Sequence, residues 1–185
     1  MPEVTSSFPT AVQKFTIGAV GHRKLDGNPS VIGSKIAETL RQLATQYREV
    51  GISLVSSIAE GADRILIASS IELNIPYDCV LPCSPACFRE DFQSHGSIVE
   101  FDRLLEAARS VTLPTEPLEK ESGYLWASES ILDRANALIA VWDGAPGDGP
   151  AGTAETVTRA LKRNIPVIWI PTYPPHTIRM LGTRS

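Results

Sequence analysis

The sequence predicts an α/β domain with a mostly parallel sheet flanked by helices. Three observations point there. Short apolar runs alternate with segments of helical periodicity along most of the chain. The run Ala137 to Trp142 is apolar almost throughout, as a strand covered on both faces must be. Glycine-rich stretches stand where strands hand over to helices.

The elements follow in order. Phe15 to Val20 is a strand ending at Gly21. Ser30 to Val50 repeats Ile32, Ile36, Leu40, Leu43 and Tyr47 at helical spacing, with Asn28-Pro29-Ser30 as its start and Gly51 as its stop. Ile52 to Ser56 is a strand, Glu60 to Leu73 a helix and Tyr77 to Leu81 a strand closed by Pro82. Residues 83 to 96 read as irregular, Ser97 to Ala108 as a helix and Ser110 to Leu113 as a short strand. Pro114 to Ser122 carries two prolines and reads as an exposed loop before a helix from Tyr124 to Arg134. After the Ala137 strand come a helix from Thr153 to Arg163 and a strand from Pro166 to Ile170. The division expected is a flexible segment over 1–14, one three-layer Rossmann-like domain over 15–170 and a loose tail over 171–185. Ligands of such sheets sit beyond the carboxyl ends of the strands.

Composition narrows the functions. The 185 residues are 43% hydrophobic and 21% charged, enough for one core. Seventeen bases against 21 acids give a net charge of −4, with no long basic run, so nucleic acid is not expected as a partner. The polar start and the lack of an apolar run of about 20 residues predict a cytoplasmic protein with no membrane contact. The three cysteines, Cys79, Cys83 and Cys87, fit no common metal spacing and read as ordinary, partly buried thiols. No metal or other cofactor is expected.

Three strand ends carry the candidate chemistry. The first is Gly21-His22-Arg23, with a glycine for close approach, a histidine for proton transfer and an arginine whose planar fork suits phosphate or carboxylate. The second is Ser56-Ser57-Ile58-Ala59-Glu60-Gly61-Ala62-Asp63, whose small residues expose amides near a helix start. Ser57, Glu60, Gly61 and Asp63 are its candidate ligand contacts. The acids suit ribose hydroxyls, though either also suits the positive end of a helix. The third runs from Trp142-Asp143-Gly144 to Gly149-Pro150-Ala151-Gly152-Thr153-Ala154-Glu155. Gly149, Gly152 and Thr153 stand where free helix amides would hold phosphate, and Glu155 follows inside the helix. Glu155 and Asp143 are the candidate catalytic carboxylates, able to stabilise or capture a sugar cation. No Gly-Lys-Ser/Thr follows the loop, so it is not a Walker A loop. No Gly-x-Gly-x-x-Gly follows the first strand, which disfavours a dinucleotide dehydrogenase.

Together the three stretches resemble the SLOG superfamily of Rossmann-like nucleotide-binding domains. Ser56 to Asp63 is similar to the Ser-Gly-x-Ala-x-Gly-Ala/Ile-Asp signature of the DNA-processing protein A family. Gly149 to Glu155 is similar to the Gly-Gly-x-Gly-Thr-x-x-Glu signature of the Lonely Guy phosphoribohydrolases, often labelled lysine-decarboxylase-like. The Asp143 to Glu155 stretch is also similar to nucleoside 2-deoxyribosyltransferases. The resemblance implies phosphate binding at Gly152 and Thr153, a catalytic role for Glu155, a nucleotide or nucleotide-derived ligand and a homo-oligomer. It leaves three functions open: an N-glycosidic hydrolase or transferase, a non-catalytic sensor of nucleotide-derived signals, and a single-stranded DNA binder. Tyr124 and Trp126 are candidates for base stacking, for the core or for a subunit contact. Arg89, Asp91 and His95 read as a solvated loop or a lid.

Overall fold

The computed structural model describes residues 14–25, 28–147, 149 and 151–182. Seven strands form one sheet: β1 (Phe15–Gly21), β2 (Ile52–Ser56), β3 (Tyr77–Val80), β4 (Ser110–Thr112), β5 (Ala137–Trp142), β6 (Val167–Pro171) and β7 (Arg179–Leu181). Their order is β4-β3-β2-β1-β5-β6-β7. All neighbours are parallel except β6 and β7. The helices are α1 (Pro29–Gln46), α2 (Ala62–Glu72), α3 (Pro85–Arg89), α4 (His95–Glu106), α5 (Lys120–Arg134) and α6 (Thr153–Lys162).

Strand alternation sorts the core into two layers. Ile17, Ala19, Leu54, Ile139 and Val141 pack with Ile32, Ile36 and Leu40 of α1, Leu66 and Ile67 of α2, and Phe101 and Leu104 of α4. Val20, Val55, Leu138, Ala140 and Trp142 pack with Ala127, Ile131 and Leu132 of α5 and Val157 and Ala160 of α6. The central strands β2 and β5 are buried at every residue. Among the described residues no helix is long and apolar enough to cross a membrane.

The local chemistry explains most boundaries. Asn28 caps α1 by accepting from the Ser30 amide at 3.1 Å, with Pro29 in the first turn, where its missing N–H costs nothing. Gly51 turns the chain into β2 at φ +73°. Ser94 caps α4 through the Ser97 amide at 3.1 Å.

Four expectations need correction. The tail after Pro171 is not loose throughout: β7 returns antiparallel to β6, pairing Met180 with Ile168. The segment 83–96 is not wholly irregular, since Ser84 caps the short α3. The supposed loop 114–122 gives up its last residues to α5, which begins at Lys120. The cysteines are not three thiols: Cys83 and Cys87 are joined by a disulfide, because the turn of α3 brings their Cα atoms to 6.0 Å. Cys79 stays a buried thiol, and burial pushes its pKa up to about 12. Of the N-terminal segment 1–14, residues 1–13 lie outside the described residues, as do Asp148 and Pro150 of the third glycine loop.

Candidate functional site

From β1 the chain passes through α1 to β2 on one side, while β5 pairs with β1 on the other. This is the switch point of the sheet, where diverging loops leave a crevice. A cleft of about 720 Å³ opens there, within the size range of ligand sites, roughly 300 to 1,000 Å³. Its walls come from all three predicted stretches. Gly21, His22 and Arg23 follow β1; Ser57, Ala59 and Asp63 follow β2; and Asp143, Gly147, Gly152 and Thr153 follow β5.

The loop after β2 is pressed against the loop after β1. A Cβ on Gly61 would stand 2.3 Å from the Arg23 carbonyl oxygen, and Gly61 has φ +85°. A Cβ on Gly21 would stand 2.4 Å from that of Ala62. Both glycines are therefore required by close packing, whatever the cleft binds. The Ala62 amide donates to the His22 carbonyl at 3.0 Å and closes the contact.

Asp63 is the most perturbed acid of the cleft. It is 5% exposed and stands in the first turn of α2. Burial pushes its pKa from 3.8 up to about 7, against the pull of the Ser56 hydroxyl, the Ala59 and Gly21 backbone and the Arg23 charge. Its carboxyl can therefore accept or donate a proton near neutral pH. Asp143 behaves oppositely. Its carboxylate accepts from the Ala145 amide at 2.9 Å and lies 3.1 Å from His22 Nε2. The amide first, and then the histidine, hold its pKa below the ordinary value. The His22 contact is poorly aligned, which leaves Nε2 without a good hydrogen-bond partner.

A further wall joins residues far apart in the sequence. Asp91, Lys120 and Tyr124 line the cleft together with Arg23. Asp91 is contacted by Lys120 and by the Tyr124 hydroxyl, with Arg23 Nη2 3.7 Å away. Arg23 Nη2 donates to Tyr124 Oη at 2.8 Å, and its guanidinium lies 5.2 Å from the ring centroid. Asp91 thus faces the cleft as a largely buried carboxylate, neither a solvated loop residue nor a free lid. Arg89 instead pairs with Asp102, and His95 opens α4.

Two of the predicted acids stand apart from the cleft. Glu60 bonds Ser97 Oγ. Ser97 also receives Arg64 Nη1 at 2.9 Å, and Arg64 Nη1 reaches Glu100 at 2.9 Å. Arg64 is 5% exposed and stacks 4.6 Å from the Phe92 centroid. Its Nε donates to the carbonyl of Ile58, a buried residue at φ +49°. A β-branched residue rarely adopts that conformation. The network therefore holds the corner on which Ser57 and Ala59 sit. Glu155 does not line the main cleft. It turns along α6 to Arg159, 3.2 Å away, and borders a neighbouring hollow with Gly149 and Thr158. Arg159 goes on to Glu129 of α5 at 2.8 Å.

The apolar residues of α5 are turned inward. Ala127, Ile131 and Leu132 are core, and Trp126 packs against the same layer. Trp142 is core as predicted, in contact with a half-buried Trp169 at 4.8 Å between ring centroids.

No family model and no curated protein matches the sequence. Solved structures do resemble the fold. DNA processing protein A (DprA) from Streptococcus pneumoniae aligns with a TM-score of 0.60 at 16% identity, over 89% of this chain and 53% of that one. The Helicobacter pylori DprA, described for its single-stranded DNA binding mode, aligns at 0.60 and 15% identity, over 89% and 69%. The Moco carrier protein from Chlamydomonas reinhardtii aligns at 0.50 and 22% identity, over 87% and 78%. The chain thus spans about half the length of the pneumococcal protein. These likenesses show a shared α/β fold.

Proposed function

We propose that this SLOG-like domain binds a nucleotide, or a small molecule derived from one, in the cleft at the switch point of its sheet. One observation carries the reading: Arg23 and the start of α6 at Gly152 and Thr153 border the same cleft. The first supplies a planar cation and the second the N-terminal amides of a helix, and the two together suit a phosphate. Ser57 adds a hydroxyl and Asp63 a buried carboxyl for a sugar hydroxyl.

The sequence motif also suggests cleavage or transfer of an N-glycosidic bond. Asp143 and Asp63 are the cleft carboxylates suited to that chemistry, one ionised and one able to carry a proton. Glu155 is paired with Arg159 outside it. A domain that binds without turnover is the sensor version of the same site.

The test is calorimetric titration with a panel of nucleoside 5′-monophosphates, with chromatography for released base. Nucleotide binding that Arg23→Ala abolishes is the expected result. Base release that is lost in Asp143→Asn and retained in Glu155→Ala identifies the enzyme; binding without release identifies the sensor. If no nucleotide binds while a single-stranded oligodeoxynucleotide does, in a salt-dependent way, the nucleotide reading is overturned in favour of DNA binding.

A further inference from the structure

A smaller hollow of about 370 Å³ adjoins the main cleft, lined by Lys120, Glu121, Tyr124, Gly149, Ala151 and Gly152. Four of these residues, Lys120, Tyr124, Ala151 and Gly152, also line the cleft, so the two spaces are immediate neighbours. Their chemistry differs. The cleft collects aspartates, a histidine and an arginine. The hollow is walled by the aromatic Tyr124, Ala151 and two glycines, with Lys120 and Glu121 as its charged residues.

We propose that this hollow is the nucleobase subsite: the base of the bound nucleotide stacks on Tyr124 while its phosphate lies in the main cleft. The inference rests on the nucleotide reading above and assigns the other end of the ligand. Gly149, Ala151 and Gly152 carry at most a methyl group, so among the lining residues they take little of the space beside the Tyr124 ring. Tyr124 is already ordered for the task. Its hydroxyl meets Asp91 and accepts from Arg23, and its ring packs 6.0 Å from Phe88. A ring fixed in advance gives up little further freedom on stacking. Glu121 offers an acceptor at the edge of the hollow, which suits the polar edge of a base. Arg23 links the two regions, because it lines the cleft and holds the tyrosine that lines both.

The experiment compares a nucleoside 5′-monophosphate with ribose 5-phosphate, which shares the phosphate and sugar and lacks the base. Base–aromatic stacking predicts that the wild-type chain binds the nucleotide on the order of tenfold to a hundredfold more tightly. Tyr124→Phe keeps the ring and should keep that ratio, even where loss of the hydroxyl weakens both ligands. Tyr124→Leu fills the space without an aromatic face and should bring the ratio close to one. A wild-type ratio near one, or a ratio unchanged in Tyr124→Leu, overturns the subsite and leaves phosphate binding standing. If neither ligand binds the wild-type chain, the nucleotide reading falls and the subsite falls with it.

Discussion

Asp63 makes the fold sensitive to pH in a direction opposite to that of most carboxylates. In the folded chain its proton is held up to about pH 7, whereas the ordinary value is 3.8. Between those limits the unfolded chain binds fewer protons at this position than the native one. Stability must therefore fall as pH rises through that window. The contribution is fully present below about pH 3.8 and gone above about pH 7. At about 1.4 kcal/mol for each pH unit of that interval, the loss amounts to about 4 kcal/mol. At 5% exposure the carboxyl is little screened by solvent. The perturbation is Asp63→Asn, which has the same shape and no titration. Urea unfolding of both proteins at a series of pH values gives the difference in stability at each. That difference should move by about 4 kcal/mol in favour of the variant between pH 4 and 8, whatever its offset from altered hydrogen bonds. A flat difference across the window refutes the argument. So does a carboxyl carbon resonance of Asp63 that titrates near its ordinary value.

Other outcomes follow from the same geometry. Gly61→Ala should lower stability by at least about 2 kcal/mol in thermal or urea unfolding, because the new Cβ meets the Arg23 carbonyl and the backbone is left-handed there. Arg64→Ala removes the donors to Ile58 and Ser97 and should cost about 2–4 kcal/mol, with Ser57 and Ala59 resonances shifting as the corner relaxes. Glu155→Ala loses only the pair with Arg159, so its cost should stay below about 1 kcal/mol. Alkylation of the denatured, unreduced chain should label Cys79 alone, whereas prior reduction should expose Cys83 and Cys87 as well.

The fold was legible because it is written in local signals. The spacing of Ile32, Ile36, Leu40 and Leu43 marks the inner face of α1, and the unbroken apolar run at Ala137 marks a central strand. Gly21, Gly61 and Gly152 mark the strand ends on which the cleft opens. What escaped has a common physical origin. β7 is short, with two of its three residues exposed, so neither periodicity nor a buried face announces it. The contacts of Asp91 with Lys120 and Tyr124 join residues 29 and 33 positions apart, and Arg23 reaches Tyr124 across 101. Only the sheet order brings α5 beside the end of β1.

Glu60 and Glu155 show why residue type and position near a glycine loop do not by themselves define a site. Glu60 sits between small residues in a loop that does reach the cleft, yet Ser97 and the buried Arg64 draw it into the frame of α4. Glu155 lies one turn from Arg159, and α6 carries both to Glu129 on the neighbouring helix. Glu60 meets a hydroxyl of α4 that the loop sequence does not disclose, and Glu155 a cation one turn on in its own helix. Asp63 differs because no cation reaches it closely enough to offset its burial. The cleft is left with a carboxyl that holds its proton to near neutrality, beside an arginine and a helix start suited to phosphate. A nucleotide bound there would meet an acid that can donate to a sugar hydroxyl or accept from one. The pH dependence of binding should therefore follow the Asp63 titration, with an inflection near pH 7 that Asp63→Asn removes. Calorimetric titration of a nucleoside monophosphate from pH 5 to 9 measures it, and a profile identical in the two proteins would separate Asp63 from the ligand.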